Sequence, residues 1–564
     1  MHEIKTASWV ASAKERILSR REIEGMIAEG RHIVIFDGKV LKTDSWFQFH
    51  PGGDKTIKHM VGRDATDEIN ALHSREARQH MLSFQIGRID GRWINFVPPI
   101  QGGKFRRYSK EQDCAIISDS SSQTSTRSSS PMFDVIETWP GIRQRQSTST
   151  ANSSISQTPP TSQAFEPRPF FLDARTQQEI VLDIAKYPPL DPASQDNIVK
   201  EYRTLNDRIR AEGLYNCNYF AYFVECCRYA LIAAVSLFFL RLGWYGTSGF
   251  FLGFFWHQLV FTAHDAGHMG ITHHFHVDTV IGIIIADYLG GLSLGWWKRN
   301  HNVHHIVTNS PEHDPDIEHM PVFAVSHRFL TNLRSTYYDR IMEFDVIAKF
   351  ALKYQKYLYY PILLLGRFNL YRLSWEYLLL GQAPKKGPAW WHWWLEMGGQ
   401  AFFWLWFGYG LVYCSIPDWK NRLLFVLVSH MVTAPLHVQI TLSHFAMSTA
   451  DLGIHESFPQ KMLRTTMDVD CPTWLDFIHG GLQFQAIHHL YPRIPRHNLR
   501  RTQKLVMEFC HEVDIPYAIY TFVDGNKEVL GRLGDVAKQV WILEECRKAC
   551  AQQGLFSGHH HHHD

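Results

Sequence analysis

The chain has almost no excess of either charge: 57 Lys and Arg against 55 Asp and Glu leave a formal net charge of +2. That balance points away from a nucleic-acid binder and from a protein drawn to an acidic partner. Paired cysteines are missing too. The nine cysteines contain no Cys-x-x-Cys, and all of them, including adjacent Cys226 and Cys227 and the pair Cys546 and Cys550 one helical turn apart, read as reduced thiols facing cytosol or lipid. A signal peptide is not expected, because the first stretch is charged and interrupted. The mean hydropathy of -0.21 lacks the stamp of a membrane protein, but it averages polar ends with very apolar middle segments. At 564 residues more than one domain is expected.

What the chain has is histidine, in motifs. His264-Asp265-Ala266-Gly267-His268 is followed by a long apolar segment, then by His301-Asn302-Val303-His304-His305, and far downstream by Gln485-Ala486-Ile487-His488-His489. On a helix His264 and His268 share a face, as do His301, His304 and His305. Imidazole suits iron, zinc and copper, and rings facing one way beside membrane-length apolar runs are hard to explain without metal. The run His559 to His563 is a tag remnant or a native tail and is left out of the metal set.

Residues 1–100 are expected to form a small soluble domain. Ile33-Val34-Ile35-Phe36 reads as a strand closed by the turn dipeptide Asp37-Gly38. Phe49-His50-Pro51-Gly52-Gly53 follows, then a charged helical stretch and Leu72-His73-Ser74. Two neutral imidazoles facing each other across a pocket can hold a haem iron from both sides, and such six-coordinate iron moves electrons without binding oxygen. The segment resembles cytochrome b5 over essentially its whole length. The resemblance implies His50 and His73 as axial ligands of haem b. Asp44, Asp54, Asp64, Asp67 and Glu68 read either as a solvated face or as a docking surface for a basic reductase. Residues 101–176 are rich in Ser and Thr, too poor in apolar side chains to fold, and read as a disordered tether that raises the local concentration of the haem domain.

Residues 177–550 are expected to be an integral membrane domain. Pro188 to Gly213 is polar and reads as a cytosolic helix. Tyr219 to Trp244, Phe250 to Ala263 with the residues before it, Trp394 to Tyr413 and Leu423 to Phe445 are candidate spans of roughly the 20 residues a bilayer needs. Val277 to Leu294 is apolar enough to cross, but a crossing there would put the first two histidine boxes on opposite faces. It is therefore expected in or under the interface, anchored by Trp296, Trp297, Lys298 and Arg299. Tyr354 to Arg367, broken by Pro361, reads as a second interfacial helix. The expected fold is thus a small α+β haem domain followed by an all-α integral membrane domain with four transmembrane helices and a cytosolic histidine-rich cap. All boxes and the haem then lie on the cytosolic side.

The candidate ligands are His264, His268, His301, His304, His305, His444, His488 and His489, more nitrogens than one metal takes, so two metals are implied. His444 ends the fourth span. His430 and His437 share its face, but seven residues rise about 10 Å, so they are expected to pack rather than bind. Gln485 could bind weakly or through water. His273, His274, His276, His313 and His319 read as outside the ligand set. Asp265, Asp314 and Asp316 either orient ligand rings or cap local turns. The tryptophans Trp390, Trp391, Trp393 and Trp394 read as an interface belt before they read as walls of a lipid tunnel.

A cytochrome b5 domain followed by His264-x3-His268, His301-x2-His304-His305 and Gln485-x2-His488-His489 resembles the front-end desaturases, membrane di-iron enzymes in which Gln replaces the first histidine of the third box. Gly291-Leu292-Ser293-Leu294-Gly295-Trp296-Trp297-Lys298 and the segment His301 to Asp316 resemble the sphingolipid Δ8-desaturases of fungi. Ile487, where many relatives carry Glu, resembles that branch and weakens a fatty-acyl assignment. The resemblance implies an endoplasmic-reticulum, multi-pass oxidoreductase that desaturates C8–C9 of the long-chain base of a sphingolipid such as ceramide. It implies O2 as co-substrate and electrons passed from NADH through a cytochrome b5 reductase to the haem and on to the iron pair. A front-end fatty-acyl Δ5/Δ6-desaturase, a lipid hydroxylase of the same di-iron family and a haem-bearing electron carrier are the rival readings.

Overall fold

The computed structural model describes residues 14–108 and 170–552. Most of the expected tether, and the His559 to His563 run, lie outside the described residues. The tether's expected end does not hold: helix α5 (Phe170–Lys186, numbered after four helices of the N-terminal domain) already begins at Phe170, because Leu172 is apolar and buries itself in the core beside Phe329 and Val536.

The N-terminal domain is built on a three-stranded antiparallel sheet, β1 (Ile33–Phe36), β2 (Lys39–Lys42) and β3 (Gln85–Arg88). Asp37 and Gly38 both take positive φ, 51° and 69°, the two-residue turn whose twist matches the strands. Helix α1 (Arg20–Ala28) starts at a reciprocal Ser19/Glu22 capping box. Helices α2 (Asp54–Met60), α3 (Thr66–Leu72) and α4 (Arg75–Met81) follow. Strand β1 is apolar at every position because both its faces are covered. Ile33 and Ile35 pack with Ile23, Ile27 and Val40. Val34 and Phe36 join Met60, Ala65 and Ile69 in a cluster that also takes in Val303, Ile306 and Val307 of the second histidine box.

The second domain is helical. Helix α6 (Pro192–Ala211) is polar, as expected, and starts on an Asp191 cap. Then come α7 (Tyr219–Arg241) and α8 (Tyr245–Gly267). Helix α9 (Phe275–Ile283) runs on as a π-helical turn to Leu289, and α10 (Leu294–Val307) starts at Ser293. Between these two the chain bends by 118°, so the apolar segment turns back and delivers the second box to the first. Helix α11 (Val346–Leu363) runs through Pro361 rather than breaking there. One lost backbone bond in its last turn is outweighed by Leu352, Tyr359 and Leu363, which share a core with Val529, Leu533 and Val536 near the C-terminus. Helices α12 (Gly366–Leu379), α13 (His392–Phe403, π-helical on to Cys414), α14 (Trp419–Met431) and α15 (Ala434–Phe445) complete the apolar part.

Among the described residues, two helical stretches are long and apolar enough to cross a membrane, Tyr219–Arg241 and Trp419–Phe445. The other two expected spans are helical but fall short of that measure. Helix α8 carries His257, Gln258, His264 and Asp265 in its second half, and α13 carries Glu396 and Gln400 before it loosens into the π-helical run.

The C-terminal cap consists of α16 (Phe458–Thr465), α17 (Gln485–Leu490), α18 (Arg496–Glu512) and α19 (Phe522–Gln552). Ile487 and Leu490 of α17 sit in a core with Tyr202, Ile209, Val506 and Phe509. The six-residue helix bearing the third box is thereby held by α6 and α18 rather than by its own hydrogen bonds.

Candidate metal centre and haem site

Four elements converge. Helix α8 ends at His264 and His268, α10 supplies His301, His304 and His305, α15 ends with His444, and α17 supplies His488 and His489. The ligand nitrogens of His264, His268, His301 and His488 lie within 4.8 Å of one another, as do those of His304, His444 and His489. His305 sits between the two sets, its ring centroid 4.9 Å from His488 and 4.3 Å from His489. All eight predicted histidines are therefore brought together, in two adjacent groups.

The environment makes these rings donors. Burial and the neighbouring imidazoles push His305, His488 and His489 well below the usual range, so they are neutral, the form that binds metal. Burial also disfavours the His304 cation, but Asp314 and Asp316 outweigh it and raise that ring to about 9. The fully buried Asp314 accepts from His304 Nδ1 at 2.8 Å and from the Asn309 amide at 2.7 Å. Asp316 lies 3.5 Å from His301 Nδ1. These carboxylates aim the opposite nitrogens inward. Nε2 of His268 and of His488 are buried without a hydrogen-bond partner. Orphans of this kind are costly unless something else binds them, and a pair of imidazole-binding metals such as iron fits the set.

Gln485 opens α17 and is buried, with Oε1 unpartnered, but it makes no hydrogen bond to any of the eight rings. His430 and His437 stay out of the centre: His430 donates to the Val426 carbonyl and stacks on Phe368, and His437 packs beside Gly366. His273 bridges the Met269 and Tyr215 carbonyls, His276 faces His392, His313 binds Thr336, and His319 packs on Phe445. Asp265 orients no ligand ring; it pairs with Arg496 and Tyr222 instead.

Trp297 was not legible as part of the site. Of the expected interface anchors Trp296 to Arg299, three side chains meet protein instead. Trp297 stacks on His301 at 4.5 Å and meets His264 edge-on at 5.3 Å. Gly267 makes room for it, since a Cβ there would lie 2.1 Å from the indole. Lys298 is buried and Arg299 reaches Asp54. An aromatic-cationic run after an apolar segment reads the same in sequence whether it meets lipid or protein.

In the N-terminal domain the rings of His50 and His73 face each other with centroids 5.9 Å apart. His50 Nδ1 donates to the Gly53 carbonyl at 2.9 Å and His73 Nδ1 to the Ile69 carbonyl at 3.2 Å. Both Nε2 atoms are left for an iron. Burial, and then the facing His50, push His73 down to about 3, and burial lowers His50. Gly52 lies against the His50 ring and Asn302, where a Cβ would come within 2.9 Å and 3.2 Å. The loop after His50 therefore rests on α10 beside His301.

Two of the acidic residues offered as a reductase surface are engaged by the second domain: Arg203 pairs with Asp67 at 2.8 Å and Arg299 with Asp54 at 3.3 Å. Asp44 holds His32, and Asp64 bonds Thr66. Lys55 adds a bond to the Thr336 carbonyl at 2.8 Å.

Residues 242–521 match the model of the fatty acid desaturase family, and residues 19–90 match the cytochrome b5-like heme/steroid binding domain. The chain is 72% identical over 547 residues to a Delta 8-(E)-sphingolipid desaturase of Emericella nidulans, covering 97% of this chain and 99% of the relative. It is 47% identical over 563 residues to a protein of the same name from Kluyveromyces lactis, covering 97% of each. It is 46% identical over 583 residues to another from Candida albicans, covering 95% of this chain and 98% of the relative. The first family implies iron and the second haem, which are the two groups that the two sets of histidines fit. The chain belongs to the fatty acid desaturase family, as an oxidoreductase with its own cytochrome b5-like domain fused at the N-terminal side.

Proposed function

We propose that this chain introduces a trans double bond between C8 and C9 of the long-chain base of a sphingolipid. The observation that carries the reading is the convergence of eight imidazoles from α8, α10, α15 and α17 in a chain alike over nearly its whole length to relatives bearing that activity in their names. His264, His268, His301 and His488 would hold one iron, and His304, His444 and His489 the other, with His305 between the two groups. Gln485 is a candidate for a further contact through water. When bound, the iron pair supplies the O2-derived oxidising power that takes one hydrogen from each of two adjacent methylenes, with two donor electrons and two protons completing the reduction of O2 to two waters. His50 and His73 would hold the haem, which would supply one-electron transfer there, with NADH and a cytochrome b5 reductase as the source of the electrons.

The protein's own task is placement. Asp314 and Asp316 fix the tautomers of His304 and His301. Trp297 walls the first group of rings. The topology that fits is two helical hairpins, α7 with α8 and α13 with α14–α15, in the endoplasmic-reticulum membrane, with the boxes and haem domain cytosolic. The contact between the first and second boxes requires an even number of crossings between them, and the 118° bend before α10 supplies the return.

Lipid profiling of a host that lacks the activity tests the reading. Expression is expected to yield long-chain bases two mass units lighter with a C8–C9 trans bond, and His301→Ala to yield none. A gain of sixteen mass units would mark a hydroxylase, and a product confined to fatty acyl chains would mark the acyl rival; either contradicts the proposal.

A further inference from the structure

Arg496, the first residue of α18, is 7% exposed, and its guanidinium fork reaches two other helices. Nη1 donates to the Asp265 carboxylate and, at 3.1 Å, to the Phe261 carbonyl, both in α8. Nη2 donates to the Glu225 carboxylate of α7 and, at 3.0 Å, to Thr262 Oγ1 of α8. Both carboxylates are buried as well. Tyr222 donates to Asp265, and Tyr229 to Glu225 at 3.1 Å. The second negative charge is offset by Arg228, 3.6 Å from Glu225, and His497 adds a bond to Glu225 at 3.0 Å. A buried ion triad of this kind adds little net stability, because desolvation offsets most of the Coulomb attraction. What it supplies is a fixed separation, since a planar guanidinium meets both carboxylates in one narrow geometry.

We infer that Arg496 is a positioning residue for the first iron group: it sets how far His264 and His268 of α8 stand from His488 of α17. The inference rests on the two-group reading of the metal centre above and deepens it. Arg496 acts through the two segments it ties together. On one side, Asp265 adjoins His264 in the last turn of α8. On the other, His488 lies eight residues before Arg496. Tyr491 between them is buried and stacked on Tyr202 at 5.3 Å, which keeps that stretch from moving by itself. The six-residue α17 is too short to fix its own place. The rings whose separation is set are close, with the His488 centroid 4.5 Å from His264 and 4.6 Å from His268. The second group has a tie of its own. The Asn309 side chain, just past α10, donates to the His444 carbonyl at 2.8 Å and to the Thr465 carbonyl at 3.1 Å, and Thr308 Oγ1 lies 3.3 Å from His489 Nδ1. Loosening Arg496 therefore disturbs the first group and leaves the second.

The test reads iron in the purified full chain across a chelator series, by metal analysis and by EPR and Mössbauer spectroscopy on 57Fe-grown protein. Arg496→Gln removes the fork and leaves two buried carboxylates without it. The triple variant Glu225→Gln, Asp265→Asn, Arg496→Met removes the three charges together, and its Tm is expected to stay near that of the wild type. In both, first-group iron is expected to be held about tenfold more weakly. At chelator concentrations that spare the wild type, the coupled pair then gives way to a single uncoupled high-spin iron, with the haem spectrum unchanged. A coupled pair as resistant to chelator as in the wild type overturns the inference. So does a triple variant that loses both non-haem irons together with haem, the mark of a general structural role. Arg496→Lys keeps the charge without the fork and decides where the other variants fail to fold: its first-group iron is expected to be weakened too, and an unaltered pair overturns the inference. Wild-type protein without a coupled pair would defeat the metal reading itself, whereas a wild-type pair that survives the substitutions would defeat the positioning role alone.

Discussion

Asp314 has no exposure to water, and its charge is tolerated because His304 Nδ1 and the Asn309 amide both donate to it. Asp314→Asn keeps the shape but removes the charge that aims His304. Iron affinity is expected to fall about 10–100-fold, seen as a lower iron-to-haem ratio across a chelator series while the haem spectrum stays. In the other site, Gly52→Ala puts a methyl against the His50 ring, and faster haem loss on dialysis is expected, followed by the Soret band. The spacing of His264 and His268, of His301, His304 and His305, and of His488 and His489 made the ligand set legible, because a helix turns one motif into one face. The contacts of Trp297 and Arg299 were not legible: the first meets α8 and the second reaches Asp54 of the haem domain, partners that no local pattern announces.

Helices α8 and α10 meet through a notch, the absent side chain of Gly267, filled by Trp297. Gly267→Ala is expected to cost about 1–3 kcal/mol by overpacking, measured as a lower Tm, and to release iron from the first histidine group before the haem is lost. A second notch lies at the bend, where Gly291 takes φ 69° with the ring of Phe403 against it. The sequence shows an apolar run long enough to cross, and only the requirement that boxes one and two share a metal centre argued that it does not. The turn itself follows from packing against α13 that no local pattern announces. Hydropathy likewise picked out α7 and the Trp419–Phe445 stretch, but in α8 and α13 the polar residues that build the site dilute the apolar signal.

At the scale of the whole molecule, the haem domain sits on the helix of the second box, clasped by Arg203–Asp67, Arg299–Asp54 and the Lys55 bond to Thr336. Pairs of this partly exposed kind contribute about 1 kcal/mol or less each, so docking is adjustable rather than permanent. Arg203→Glu is expected to slow reoxidation of the reduced haem under O2 and substrate up to about fivefold, and Arg203→Glu with Asp67→Arg to restore it, read by stopped-flow at the Soret band. The acidic face looked equally suited to a separate reductase, because charge in sequence does not say which partner meets it. The most direct measurement is the iron inventory of the purified full chain, by metal analysis with Mössbauer spectroscopy on 57Fe-grown protein. About three irons per chain are expected, one in haem and two magnetically coupled outside it, the coupled pair lost in His304→Ala and in His489→Ala. Iron equal to haem alone, or non-haem iron that survives both substitutions, would contradict a single centre built from all three boxes.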